Sequence, residues 1–528
     1  MACSKIFSGD LPELISEIIQ YFRNDISTLH SCILVNRLWC RLAIVLLWED
    51  PFSKNFLKNY NFIEIYLHKL SENDKIKLNE FGINKFFPSN TLFNYPSFIK
   101  YFNTQRISSS IINWIYWTNN VYFDQNLKLT NFIFLSLIKI FTENEANLHT
   151  FELELFNTSD NIGINCFKST FQLILQNPNF ICNVKNLNIH LNGINVSMDN
   201  YIEKDLSKVI NLQQDLKKIY FDYKLYPLKN LKNSNCSNTL KTIILHKVYF
   251  NNLDVSNFNE VFEQLNVLES IHFLYCYPLD STIALQIFNL TKPFKLKSLL
   301  MDERSTLQVE PIKLLLQKSG NYLENIGFET SMEHDLKLEL FKLFTIYCIN
   351  IKFVNLLGFD NLNIFSALAL IKNIQQNLNY LNINFCQFRY DQLSLSYDNE
   401  LSSIILHNLG QILPYRLEYL GLALKFNIND LEMFFKNSQS IFIKKLLIRN
   451  KVYQDSDDIL PCIKKYVMKE KRVTYLAIEN LHVSFNENGK DLSYLKDEVR
   501  EFEFYGIQVK NYNDLCIHQI CDFINELY

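Results

Sequence analysis

Along most of the chain the apolar positions keep one spacing: an apolar residue, two variable residues, a second apolar residue, one variable residue and a third apolar residue. The pattern occurs thirteen times, at Leu148-Phe151-Leu153, Val184-Leu187-Ile189, Leu216-Ile219-Phe221, Leu240-Ile243-Leu245, Leu268-Ile271-Phe273, Leu296-Leu299-Met301, Leu323-Ile326-Phe328, Ile351-Val354-Leu356, Leu378-Leu381-Ile383, Leu417-Leu420-Leu422, Ile443-Leu446-Ile448, Val473-Leu476-Ile478 and Val499-Phe502-Phe504. The starts lie about 29 residues apart on average, and the five consecutive steps from Leu240 to Leu378 are each 27 or 28 residues. Apolar residues two apart share one face of an extended strand. Between the strands lie runs such as Phe258-Val261-Phe262-Leu265, Ile312-Leu315-Leu316 and Leu336-Leu338-Leu340-Phe341-Leu343-Phe344, where spacings of three and four predict amphipathic helices. The pattern therefore predicts an α/β chain of alternating strands and helices.

This unit resembles the leucine-rich repeat, a short strand followed by a helix with a period of 20 to 29 residues. The resemblance implies a leucine-rich-repeat solenoid over residues 148–528, of about 13 units with a C-terminal cap, shaped as a horseshoe with parallel strands inside and helices outside. Members of the family usually carry Asn or Cys eight residues after the first apolar position. Asn192, Cys276 and Cys386 fit, and most units carry something else, as in a degenerate, cysteine-type repeat of long period.

Ahead of the repeats, Asp10 is placed to cap a helix whose first turn holds Pro12 and Glu13, both favoured there. Leu14, Ile15, Ile18, Ile19 and Phe22 fall on one broad face of that helix. Arg23 and Asn24 break the pattern, and further helices are predicted around Leu29, Cys32 and Ile33 and around Trp39, Leu42 and Ala43. Three short helices in about forty residues cannot bury all this apolar surface themselves, so part of it should meet a partner. The stretch from Leu11-Pro12 through Val35-Asn36-Arg37-Leu38-Trp39 to Trp48 resembles the F-box. The resemblance implies an all-α F-box helical domain, residues 1–52, that docks on a Skp1-type adaptor and through it on cullin and RING proteins. The matching positions are Leu11, Pro12, Ile15, Ile18, Ile19, Val35, Arg37, Trp39, Leu42 and Trp48, and the main departure is Leu46-Leu47, where the family often has a more polar pair. A cap for the solenoid is the other reading of this stretch.

Residues 53–147 form an aromatic-rich, mainly helical connector, with Phe86-Phe87-Pro88, Tyr95-Pro96-Ser97-Phe98 and Trp114-Ile115-Tyr116-Trp117. Aromatic side chains dominate burial, so these residues are expected to fasten the amino-terminal helices to the first repeats.

Composition narrows the function. Of 528 residues 48% are hydrophobic and 20% charged, enough apolar material for a large core. A formal net charge of -3 lacks the basic footprint of nucleic-acid or anionic-membrane binding. With 11 glycines, Gly-rich phosphate loops are disfavoured, and no P-loop, G-x-S-x-G or H-E-x-x-H occurs. No catalytic residue, cofactor or metal site is expected: His246 and His272 lie on neighbouring strands without a third ligand. Twelve cysteines without a C-x-x-C pair, no signal peptide in the first ten residues and no apolar run of about 18 residues predict buried free thiols and a cytoplasmic or nuclear protein.

If the fourth and sixth positions of each unit are buried, the third, fifth and seventh face the concave side. Tyr380, Tyr419 and Tyr475 then stand in one column, and Arg449 lies near it. Tyrosine and arginine are enriched at binding hot spots, which makes these four the candidate substrate surface, with a solvated tyrosine ladder as the other reading. The expectation is a non-catalytic substrate-recognition subunit of an SCF-type ubiquitin ligase, its F-box on the adaptor and its repeats on an unknown protein substrate. A ligase-independent binding scaffold with a degenerate F-box is the alternative.

Overall fold

A computed structural model of the protein describes residues 12–53, 60–83, 91–118, 123–154, 161–191, 199–222, 231–232, 234–250, 256–305, 308–329, 332–358, 363–384, 395–452, 459–482, 490–517 and 519–528. The chain divides into two compact units, residues 1–242 with 264–267, and residues 243–263 with 268–528.

The first unit opens with three helices, α1 (Pro12–Tyr21), α2 (Ile26–Ile33) and α3 (Arg37–Leu47). Asp25 starts α2 by accepting from the Thr28 amide at 3.0 Å, and Asn36 starts α3 by accepting from the Trp39 amide at 3.0 Å. Their inward faces meet in one small core of Ile15, Ile19, Leu29, Cys32, Trp39, Ala43 and Ile44. Within the connector, residues 53–147, lie the helices α4 (Phe62–Leu67), α5 (Glu72–Glu80), α6 (Thr104–Thr118) and α7 (Phe123–Glu143). Some of its aromatics join what lies on either side, but Tyr116 and Trp117 of the expected fastening residues are exposed, and Phe86, Phe87 and Pro88 lie outside the described residues. Trp48 packs on Tyr66 at 5.6 Å between ring centroids, Tyr66 on Phe141 at 5.1 Å, Phe141 on Phe102 at 6.3 Å and Phe102 on Phe151 at 5.8 Å. Arg23 adds a charged contact to the buried Glu49 carboxylate at 3.0 Å, and the Glu49 carbonyl accepts from the Lys100 amide at 2.8 Å.

The parallel ladder begins earlier than the apolar pattern predicts. β1 (Tyr101–Asn103), inside the connector, pairs in parallel with β2 (Thr150–Glu154), matching Phe102 to Phe151. Ile99, Phe102 and Thr104 stand at the first, fourth and sixth positions of a further unit, whose polar sixth residue conceals it. Thr104 is accommodated because its hydroxyl accepts from the Glu154 amide at 2.9 Å and donates to the Glu154 carbonyl at 3.1 Å. β3 (Asn186–His190) and β4 (Lys218–Asp222) continue the ladder, with Phe151, Leu187 and Ile219 in one buried row. Helices α8 (Asn161–Gln176) and α9 (Asp199–Asn211) lie in the crossovers.

In the second unit β5 (Thr242–His246), of which all but Thr242 belongs here, is followed in spatial order by β6 (Ser270–Leu274), β7 (Leu296–Met301), β8 (Asn325–Phe328), β9 (Phe353–Leu357), β10 (Tyr380–Asn384), β11 (Arg416–Leu424), β12 (Phe442–Val452) and β13 (Val473–His482). From β6 to β13 every neighbouring pair is parallel. Between strands run α10 (Ser256–Gln264), α11 (Ser281–Phe288), α12 (Val309–Ser319), α13 (His334–Tyr347), α14 (Ile364–Asn373), α15 (Leu395–Ile412) and α16 (Ile428–Asn437). This is a solenoid-like repeat architecture in which each strand and helix pair stacks on the next. The fourth and sixth residues of each unit, such as Leu299 and Met301 or Leu420 and Leu422, are buried between strands and helices. Of the three residues that fit the family's Asn or Cys position, Cys276 is buried, and Asn192 and Cys386 lie outside the described residues.

One predicted repeat is not a strand. Val499, Phe502 and Phe504 lie in α18 (Lys496–Phe504), after the short α17 (Leu460–Ile463), and only Phe502 of the three is buried. Asp497 and Glu498 in its first turn suit the helix dipole, and a three-residue spacing serves a helix face as well as a repeat. The remaining twelve matches are β2 to β13. Past β13 the chain supplies its own edge cover, with β14 (Lys490–Asp491) antiparallel and β15 (Gln508–Val509) parallel to β13. Two short helices follow, α19 (Tyr512–Leu515) and α20 (Ile520–Leu527). Among the described residues the cysteines are free, and most are buried. Burial pushes the Cys462 thiol up to about 11.

Candidate functional site

The ten positions matching the F-box fall into different environments. Ile15, Ile19 and Trp39 belong to the three-helix core. Ile18, Leu42 and Trp48 are half-buried, Trp48 against Tyr66 and, at 4.3 Å, Tyr95. Pro12, Val35 and Arg37 are exposed, and Leu11 lies outside the described residues. Leu14, which spacing placed on the apolar face of α1, is exposed, and the structure adds two exposed apolar residues that spacing did not single out, Tyr21 and Leu34, the last 79% exposed beside Val35 at 46%. Leu34 caps the end of α2, so its side chain leaves the helix face that fills the core. A periodicity count cannot detect this, because the position is set by where the helix stops.

The inner face of the second unit is built as alternation predicts. Tyr380 pairs with Tyr419, Tyr419 with Lys445 and Lys445 with Tyr475, so the three tyrosines share one column with a lysine between the second and third. Arg449 sits two inner-face positions beyond Lys445, next to Glu479, and donates to that carboxylate at 2.7 Å. The column is not open. Tyr419 is only 2% exposed, and it forms a cluster with Leu447, Ala477 and Tyr512, on which Tyr380, Leu515, Cys516 and Ile517 pack.

The cover comes from residues 508–517 and 519–528 of the same chain. Gln508 and Val509 pair with Tyr475 and Leu476 on β13. The Tyr512 amide then donates to buried Asp491 at 2.8 Å, and the Tyr512 ring lies 4.1 Å from the Arg449 guanidinium over β12. Phe523 of α20 reaches Tyr380 of β10 and Phe353 of β9, at 5.3 Å and 5.4 Å between ring centroids. Tyr528 packs on His272 of β6 at 4.4 Å, accepts from Asn325 of β8 at 3.1 Å and donates to Glu324 at 2.9 Å. Ser298 of β7 completes this row, accepting from Asn325 at 2.8 Å and lying 2.7 Å from His272 Nδ1. Burial raises the Tyr419 hydroxyl far above its ordinary range, with Cys516 and Tyr512 adding to the effect.

Gly421 makes this packing possible. A Cβ there would run into the Asn382 side-chain oxygen and come within 3.0 Å of the Tyr419 ring and 3.1 Å of its hydroxyl. Asn382 is itself held, donating to Asn355 at 2.7 Å. Gly421→Ala is expected to displace Tyr419 and cost about 1–3 kcal/mol in urea unfolding, the usual penalty of overpacking a filled site.

The inner face of the first unit is charged instead. His190 on β3 lies between Glu152 on β2, 3.4 Å from Nε2, and Asp222 on β4, 3.3 Å from Nδ1. Burial opposes charge on the ring, but hydrogen bonds to Asp222 and Glu152 outweigh it and hold His190 up at about 9. A histidine raised above its unfolded value of about 6.5 stabilises the fold fully below that pH and loses the contribution as pH rises through about 9. Wild type should therefore exceed His190→Gln in urea stability by up to roughly 3 kcal/mol at pH 6, with the gap closing by pH 10. A gap that does not depend on pH would show that the ring is not charged.

Among the described residues no three His, Cys, Asp or Glu side chains are arranged to hold a metal ion, and no helix is long and apolar enough to cross a membrane. No family model matches the chain, and no curated protein matches it.

Proposed function

We propose that the chain is the substrate-recognition subunit of an SCF-type ubiquitin ligase, an F-box protein with leucine-rich repeats acting in the cytoplasm or nucleus. The observation that carries this reading is the amino-terminal three-helix unit. It has a closed core, it is tied to the repeat ladder through Trp48, Tyr66 and Phe141, and it leaves Leu34 exposed together with the matching positions Pro12, Val35 and Arg37. A cap serving only the solenoid has no use for exposed leucine and valine at one turn, whereas a docking module needs them.

In this reading the unit binds a Skp1-type adaptor, and through it cullin and RING proteins. The repeats hold a protein substrate so that ubiquitin transfer gains from proximity, with no catalytic group on this chain. The aromatic contacts from Trp48 to Phe151 fasten the adaptor-binding helices to the first repeats. Co-expression with the adaptor tests the reading. Stoichiometric co-purification through size exclusion is expected, and a well-folded chain that elutes alone would leave the ligase-independent scaffold in its place.

A further inference from the structure

The second unit hides the face on which a substrate would be expected to bind. Inner-face positions of a repeat ladder normally meet solvent, yet here Tyr419, Leu447 and Ala477 are buried, and Tyr512, Leu515, Cys516 and Ile517 pack on them. The contacts of this segment, residues 508–517 and 519–528, cross the strands from β13 to β6, in the order β13, β12, β10, β9 and β6, through Gln508, Tyr512, Phe523 and Tyr528. The segment makes little structure with itself beyond two short helices, α19 and α20. It lies on the sheet through anchors: an aromatic ring on Arg449, apolar Leu515 to Ile517 on Tyr419, a second ring between Phe353 and Tyr380, and a phenol hydrogen-bonded to Asn325 and Glu324. Isolated aromatic anchors filling separate sites along a preformed surface are how a protein recognises a peptide.

We propose that the inner face of β9 to β13 is a peptide-binding surface held in a self-bound state by residues 508–528, and that the substrate is a peptide segment of the same chemistry that displaces them. The segment defines that chemistry. It is aromatic and mildly acidic, with one lysine against three side-chain carboxylates, and Tyr512 is followed by apolar Leu515 and Cys516 at the third and fourth positions after it. A tethered occupant competes at an effective concentration in the millimolar range, so an incoming ligand binds only as often as the tether lifts. The inference rests on the receptor reading proposed above, and it supplies that receptor with a partner class and a gate.

The test uses the full chain and a fluorescein-labelled synthetic peptide of residues 508–528. Wild type should bind the peptide at least ~100-fold more weakly than the Tyr512→Ala, Phe523→Ala double variant, whose own segment has lost two anchors. Equal affinity of the two proteins, including no binding to either, overturns the proposal provided that β9 to β13 of the variant keep their amide protection. Hydrogen exchange on the wild type decides independently of any variant. Amides of residues 510–528 should exchange at least ~10-fold faster than those of β11 to β13, and equal protection would make the segment an integral layer of the core. Adaptor capture, read on the same proteins, separates the two ways of failing. A chain that ignores the adaptor but shows the affinity difference loses the ligase reading and keeps the self-bound surface. Capture without the difference loses the self-bound surface alone.

Discussion

Leu34→Asp combined with Val35→Asp is expected to abolish capture by the Skp1-type adaptor, a loss on the order of 100-fold or more in affinity, while leaving the chain folded. Both residues are exposed, Leu34 at 79%, so placing carboxylates there disturbs no packing. Surface substitutions of this kind usually change stability by no more than about 0.5 kcal/mol. In a docked complex the same carboxylates would be buried without partners, and truncating or charging a buried apolar anchor costs about 2 kcal/mol or more per residue. Ile15→Ala provides the contrast. Ile15 is fully buried in the three-helix core, so its truncation should cost about 2–5 kcal/mol and reduce capture by loosening the helices. Co-purification and a circular dichroism melt on both variants separate the two effects. Full capture of the doubly charged variant would place the docking face elsewhere on the helices.

Tyr66→Ala should be the most damaging single substitution in the first unit, at about 3–5 kcal/mol, and Tyr66→Phe one of the most benign. Tyr66 is completely buried at the junction of α4 with its surroundings, its ring against Trp48, Phe52 and Phe141. Removing the ring leaves a cavity bounded by three other aromatics that cannot collapse into it. Its hydroxyl has no hydrogen-bond partner among the described residues, and burial raises it well above the ordinary tyrosine range. Exchanging the hydroxyl for hydrogen removes a desolvated group that bonds nothing, so Tyr66→Phe should be neutral or stabilising by up to about 1 kcal/mol. Urea midpoints at constant slope measure both. A costly Tyr66→Phe would mean that the hydroxyl is hydrogen-bonded.

The repeat ladder was legible because it is enforced at every turn by the same local demand. A strand covered by a helix must bury two residues of alternating position, and the third, fifth and seventh residues are then assigned to the other face whatever they are. That logic placed twelve strands, and it put Tyr380, Tyr419 and Tyr475 in one column. It failed where local chemistry allows a second solution. Thr104 satisfies a buried sixth position through two backbone hydrogen bonds, so β1 escaped an apolar search, while Val499 and Phe502 follow a spacing that a helix also uses. The amino-terminal helices were legible for the same reason as the strands, through their apolar faces, while the expected Asp10 cap lies outside the described residues and the exposure of Leu34 and Val35 depends on where α2 ends.

The apolar periodicity of this chain thus specifies, without reference to any partner, an α/β repeat ladder with three helices ahead of it, because each element is dictated by residues within about thirty positions of one another. Tertiary structure alone decides that the tyrosine column is covered. Tyr512, Phe523 and Tyr528 meet Arg449, Tyr380 and His272 across separations of 63, 143 and 256 residues. Contacts so remote leave no periodic mark on either segment, and they form only once the stacked strands have brought Arg449, Tyr380 and His272 onto one surface.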